Sequence, residues 1–341
     1  MRNADLNSNP SRTPHLCTMP IGTDIDLAAK LLQGGEIVSI PTETVYGLAA
    51  NAYDPVAVLK IFQAKQRPAF DPLIVHVHSP HQVAEITRLE AMGPQASAQA
   101  QGLMDRFWPG PLTLVLPKKE RVPDLVTSGL DTVAVRMPAH PMALDLLRRL
   151  EFPVAAPSAN PFGYVSPTTA RHVADQLGEQ VPYILDGGPC TVGVESTIIG
   201  WEPDSGRWVL YRPGGTPLEE VEQVLGIVPK AQRTLVPMSP GTLESHYAPS
   251  KPVFIGHVPD LLREHAGKKA GVISLSTDHG AAQNEVLSPG NDLAEAARNL
   301  FAALRALDKA PVEVILAEVF PTTGLGAAIN DRLRRAAARR S

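Results

Sequence analysis

Pro41-Thr-Glu-Thr-Val-Tyr-Gly-Leu48, then Lys65-Gln-Arg-Pro68, then Asp71-Pro-Leu-Ile-Val-His-Val77 set hydroxyls, cations and one imidazole at the ends of apolar runs. The run Glu36 to Ile40 reads as a strand that stops at Pro41, and Leu73 to Val77 as a second, short and buried one. Between them Asp54 can cap a helix that starts with Pro55 and carries Val56, Leu59, Ile61 and Phe62 to about Lys65. Thr42 and Thr44 thus fall just past a strand end, where open α/β sheets keep their ligand crevice. The groups are suited to holding an anion and a small polar molecule, and no nucleophile stands among them.

Outward from this stretch the same alternation continues. Thr23 can cap a helix through Leu32 that stops at Gly34-Gly35. Further strands are expected at Leu112 to Leu116, Thr132 to Arg136, Val154 to Ala156, Tyr183 to Asp186, Ser196 to Trp201 and Trp208 to Tyr211. Helices are expected at Pro141 to Leu150 and Ala170 to Leu177. Strands alternating with helices give an α/β class with a substantial mixed sheet. After Arg212 one helix, Pro217 to Leu225, precedes a stretch with Pro229, Pro237, Pro240 and Pro249, read as a semi-stiff linker over residues 213–250. From Lys251 onward strand and helix repeat in shorter units, which marks a smaller Rossmann-like α/β domain over residues 251–341. It lacks a G-x-G-x-x-G after its first strand, so no dinucleotide site is expected there.

Composition narrows the classes. The chain has 341 residues, 44% of them hydrophobic, enough for two cores. A net charge of −4 gives no global pull toward nucleic acid. Only two cysteines, Cys17 and Cys190, fit a reducing, cytoplasmic setting. Residues 1–20 lack the apolar core of a signal peptide and read as a disordered leader, and no run reaches the roughly 18 apolar residues of a membrane span.

Several side chains could carry chemistry. Lys65 and Arg67 could cap a helix end, but Pro68 and Pro72 pin their loop, which favours phosphate binding. His76 could meet a carboxylate or serve as a satisfied structural histidine; His78 shares its strand face, yet no third ligand stands at zinc spacing. Arg136 ends an apolar strand and must meet a carboxylate, internal or from a ligand. Ala155-Ala-Pro-Ser-Ala-Asn160 and Ser166-Pro-Thr-Thr169 combine small residues with hydroxyls. Gly187-Gly188 and Val192-Gly-Val-Glu-Ser-Thr197 add backbone amides beside Ser196. Neither Ser158 nor Ser196 sits in a nucleophile elbow, and Cys190 has no evident base.

Taken in order, Pro41-Thr-Glu-Thr-Val-Tyr-Gly47, Lys65-Gln-Arg-Pro68, Pro72-Leu-Ile-Val-His76, Thr132-Val-Ala-Val-Arg-Met-Pro138, Pro157-Ser-Ala-Asn160 and Glu195-Ser-Thr197 resemble the threonylcarbamoyl-AMP synthase (YrdC-like) family. The resemblance runs from about Asp24 to Arg212. His246-Tyr-Ala-Pro249 and Gly324-Leu-Gly-Ala-Ala-Ile-Asn330 are similar to its two-domain branch. It implies a twisted sheet with a concave cavity in a catalytic domain over residues 21–212, and a linker that closes over it. It implies an enzyme that joins L-threonine, bicarbonate and ATP, with Mg2+, for a tRNA-modifying complex. By the same resemblance Thr44, His76, Arg136, Ala156 and Ser196 would surround threonine. Arg67, Asp71, Thr132, Ser158, Ser166, Arg212 and Tyr247 would surround ATP, with Lys65 at the phosphates. Gln66 replaces the family's usual glycine and Asp71 its usual asparagine.

Two other readings stay open at this stage. One is an RNA-binding translation accessory, supported by Arg332, Arg334, Arg335, Arg339 and Arg340, a run that also fits the solvated face of a terminal helix. The other is a carbamoyl-adenylate enzyme, against which the missing zinc-finger cysteines count.

Overall fold

The computed structural model describes residues 21–68, 70–202, 205–231 and 247–338. The expected leader, Pro237, Pro240 and His246 of the expected linker, and Arg339 and Arg340 lie outside the described residues.

The larger unit opens with an edge strand β1 (Ile21–Gly22) and α1 (Ile25–Gln33). Asp24, not Thr23, caps α1, its carboxylate accepting the Leu27 N–H at 3.0 Å. Strands β2 (Val38–Ile40) and β3 (Gly47–Asn51) pair antiparallel, so the Pro41–Tyr46 stretch is the loop between them. Helix α2 (Pro55–Lys65) starts on the expected Asp54 cap and ends at Gln66, whose φ of 51° lies in the left-handed region that glycine occupies without strain. There follow β4 (Ile74–His76), α3 (Pro80–Ile86), α4 (Pro94–Phe107), β5 (Leu112–Pro117), α5 (Asp124–Thr127) and β6 (Thr132–Arg136). The unit continues with α6 (Pro141–Arg148), β7 (Val154–Ala155), α7 (Ala170–Leu177), β8 (Ile184–Leu185), β9 (Thr197–Glu202) and β10 (Arg207–Arg212). It closes with α8 (Leu218–Leu225) and β11 (Lys230–Ala231).

These strands form one mixed sheet in the order β1-β8-β2-β3-β7-β4-β6-β5-β9-β10-β11. Its centre matters for function. Strands β4 and β6 run parallel with His76 opposite Arg136, and β7 lies antiparallel on the other side of β4. Residues in register on neighbouring strands project to the same face, so the topology sets the imidazole beside the guanidinium. The first part of the expected linker belongs to this unit: β11 pairs with β10, and α8 packs on α4, where Gln99 donates to the Leu225 carbonyl at 3.2 Å.

The smaller unit contains β12 (Val253–Gly256), α9 (Val258–Glu264), β13 (Ala270–Ser274), β14 (Gln283–Val286), α10 (Leu293–Lys309), β15 (Val314–Glu318) and α11 (Leu325–Ala337). Its sheet, β12-β15-β13-β14, is wholly parallel, in line with the Rossmann-like expectation. The two units share apolar packing: Val45, Val165 and Val194 cluster with Phe301, Leu304 and Ile329. Burial of that kind on both sides holds the smaller unit against the loops of the larger one.

Candidate active site

The loop after β2, the ends of β4 and β6, and the segment entering β9 converge on a cleft. Thr44, Arg67, His76, Arg136, Ala156, Ser158, Glu195, Ser196, Arg212 and Tyr247 are among its lining residues. The cleft gathers several convergent polar groups, a feature of small-molecule sites.

At one side lies Arg136. Its Nη1 donates to the Thr44 hydroxyl at 2.8 Å, its Nε to the Gly110 carbonyl at 3.1 Å, and its Nη2 lies 2.6 Å from Glu43. The anion that burial demanded for Arg136 is therefore present within the fold, and Glu43 escaped the sequence reading. Thr42 satisfies the turn itself, donating to the Val45 carbonyl at 2.6 Å and accepting the Val45 N–H at 3.2 Å. Ser196 also lines the cleft, its hydroxyl 2.8 Å from that of Thr113. His76 is buried, its Nδ1 3.3 Å from the Ile74 carbonyl. Burial, and then Arg136, pull its pKa down to about 3, so the ring is neutral at physiological pH.

That shift has a stability consequence with a definite sign. Between pH 6.5 and about 3 the unfolded chain takes up a proton on His76 that the folded chain refuses, so stability falls as pH drops through this window. Lowering the pH from 7 to 5 should cost about 2 kcal/mol through this residue. Urea unfolding at the two pH values measures it. His76→Asn should flatten the dependence by about that amount, and an unchanged slope would contradict the assignment.

At the other side Arg67 pairs with Asp71 at 2.8 Å and donates to the Asp71 and Pro72 carbonyls at 3.1 and 2.9 Å. Asp71, expected beside ATP, is instead the wholly buried counter-ion of Arg67 and does not line the cleft. An acidic side chain is stable here because the arginine four residues earlier meets it. Lys65, expected at the phosphates, is also turned inward. Its ammonium donates to the Ser158 carbonyl at 2.5 Å and to the Asn160 carbonyl, and burial pushes its pKa well below the usual lysine range. It braces the Pro157–Asn160 stretch from behind and does not reach into the cleft. Thr132 sits half-buried at the far end of the Arg136 strand and is not a lining residue either. A strand spans roughly 3.3 Å per residue, so sharing a face did not bring Thr132 and Arg136 together.

Arg212 lines the cleft too, its Nη2 3.0 Å from the Ser196 carbonyl and 3.3 Å from its hydroxyl. Ser166 is buried just behind the wall and donates to Glu195 at 2.5 Å. Tyr247, buried in the last described stretch before the smaller unit, lines the cleft and stacks near Arg332, whose guanidinium carbon lies 5.1 Å from the ring centre. Glu195 meets a basic group, Arg332, an arginine that the sequence reading gave only to the RNA-binding alternative. Arg332 follows Ala328 and Ile329 by four and three residues and precedes Ala336 by four, all buried. That spacing marked it as part of the apolar face of α11. Cys190 is buried and its thiol is pushed far up, first by desolvation and then by Glu43, which leaves it unreactive.

With this geometry in hand, likeness to known proteins is informative. Residues 30–214 match the family described as Telomere recombination, and residues 216–338 match the Threonylcarbamoyl-AMP synthase C-terminal domain. A Threonylcarbamoyl-AMP synthase of Pyrococcus abyssi is 47% identical over 331 residues, with 92% of this chain and 93% of that protein covered. The chain belongs to the threonylcarbamoyl-AMP synthase family. A second member, from Bacillus subtilis, is 44% identical and covers 91% of this chain and 92% of its own length. The crystal structure of P. abyssi Sua5 complexed with L-threonine superposes with a TM-score of 0.84 at 43% identity, covering 93% of this chain and 97% of that one. The two-layer architecture expected of the family, a large mixed sheet with a smaller parallel one attached, is the architecture of this chain.

Proposed function

We propose that the protein is an L-threonylcarbamoyladenylate synthase, converting L-threonine, bicarbonate and ATP to threonylcarbamoyl-AMP and pyrophosphate for the threonylcarbamoyl-adenosine modification of tRNA. The observation that carries the reading is the juxtaposition of Arg136, Thr44 and neutral His76 on one side of the cleft with Arg67 and Arg212 on the other. Bicarbonate takes up a proton and gives carbon dioxide and water; the threonine amine adds to that carbon dioxide and loses a proton to give a carbamate. A carbamate oxygen then bonds to the α-phosphorus, and the bond from that phosphorus to the bridging oxygen breaks as pyrophosphate leaves. Arg136, with Thr44 and Ser196, holds the amino acid; Arg67 and Arg212 face the phosphates, where guanidinium forks meet developing charge. Such a reaction needs alignment more than a nucleophile, and alignment can supply roughly 7–11 kcal/mol.

The side chains do not fit a protein-held magnesium ion. Glu43, Asp71 and Glu195 each face an arginine at 2.6 to 2.8 Å, and no group of three or more His, Cys, Asp or Glu with metal-holding geometry occurs among the described residues. Mg2+ is assigned to the triphosphate itself, as hard cations with few protein ligands usually are. No helix among the described residues is long and apolar enough to cross a membrane, in keeping with a cytoplasmic enzyme whose product passes to a tRNA-modifying complex.

The RNA-binding alternative is weakened by two of its own arginines. Arg332 is fully buried and Arg335 pairs with Asp331 at 3.0 Å, so neither offers an open cation to a phosphate chain. Incubating the protein with ATP, bicarbonate and each amino acid in turn, and following pyrophosphate, tests the proposal. Threonine should stand out by at least about tenfold, the discrimination a site that pairs a substrate hydroxyl readily reaches. Equal release with every amino acid, or none with any, refutes it.

A further inference from the structure

Arg332 belongs to α11 of the smaller unit, yet it is fully buried, and its Nε lies 2.6 Å from Glu195 in the wall of the cleft. Its Nη1 donates to Asp331 at 2.6 Å and to the Pro213 carbonyl at 3.0 Å. The other Glu195 oxygen accepts the Ser166 hydroxyl at 2.5 Å. The next residue, Ser196, is bonded through its carbonyl and hydroxyl to Arg212. Glu195 is thus paired with one guanidinium while the residue after it is bonded to a second, and Glu195 and Arg332 act on Arg212 with opposite sign. A buried carboxylate turns to whatever cation it can reach, because an unpaired charge in this environment is strongly unfavourable.

Resting on the assignment of the cleft to threonine and ATP, we infer that Arg332 is a positioning residue. It anchors Glu195 toward the smaller unit and keeps that carboxylate from closing on Arg212, whose charge then serves the nucleotide phosphates. The second unit therefore supplies a part of the nucleotide site's electrostatics. Without Arg332, Glu195 would swing onto Arg212 and compete with the triphosphate. Removing the Glu195 charge as well should undo the damage, with threonine affinity level throughout, whereas a merely structural role of Arg332 would move both ligands together.

Calorimetric titration of the full chain with a non-hydrolysable ATP analogue and Mg2+, and separately with threonine, reads this out. Arg332→Met should weaken analogue binding by about tenfold while threonine affinity moves less than about threefold. Glu195→Gln combined with Arg332→Met should return analogue affinity to within about threefold of wild type, and Arg332→Lys should lie near wild type. If the single Met variant does not fold, the double variant and the Lys variant decide alone. A wild-type chain that binds neither compound overturns the functional assignment and this inference together. Normal wild-type binding overturns the inference alone if Arg332→Met binds equally well. It does so too if the double variant binds no better than the single one, or if, where Arg332→Met does not fold, either deciding variant binds much more weakly than wild type.

Discussion

Arg136→Met should reduce threonine-dependent pyrophosphate release by at least about 100-fold, the loss of a charge-assisted contact to a substrate carboxylate. The same change removes the partner of Glu43, which lies 2.6 Å away and is buried. An orphaned buried carboxylate costs about 3–5 kcal/mol, so the single variant should also unfold at markedly lower urea. The two effects separate in the double variant. Glu43→Gln with Arg136→Met should recover most of the stability and none of the turnover. Recovery of turnover by the double variant would mean that Arg136 serves the fold and not the amino acid.

Lys65→Met carries the second large effect, and its character follows from where the ammonium points. Two carbonyls, of Ser158 and Asn160, lose their donor, while the methionine fills a similar volume. Unsatisfied carbonyls outweigh the relief of removing a buried ammonium, so a net loss of about 2 kcal/mol is expected in urea unfolding. Nucleotide affinity should fall with it, because the Pro157–Ser158 part of the braced stretch lines the cleft. A variant as stable as wild type that has lost nucleotide binding would instead put the Lys65 ammonium on the phosphates directly.

Much of the larger unit was legible because its strands are short apolar runs bounded by Pro, Gly and Asp. Strand β4 and the cap of α2 are where these signals said. Strand β3, Gly-Leu-Ala-Ala-Asn, was not, since small residues carry little strand preference and its place is set by pairing with β2 and β7. Polar β14 gave no periodic signal at all. In the cleft, side chains at strand ends were readable from position alone: His76 and Arg136 come together by register. What stayed hidden was pairing. Nothing local in Pro41–Leu48 tells that Glu43 will face an arginine from β6, and nothing in the arginine-rich last helix says which member turns inward until its spacing from Ala328 and Ile329 is counted. Lys65 was read as facing the ligand because Pro68 and Pro72 pin its loop, and Asp71 only through the family resemblance; here each has a partner within the protein and both are buried.

Glu43 and Asp71 also decide how two of the cleft's arginines look from a distance. Each sits against an arginine, so each pair cancels at long range and neither of those two guanidinium groups draws passing anions from afar. Free phosphate, nucleoside monophosphates and carboxylic acids therefore feel no long-range pull from Arg67 or Arg136. Discrimination falls to shape and to hydrogen-bond directions at close quarters, and the encounter rate with ATP should hardly change as ionic strength rises.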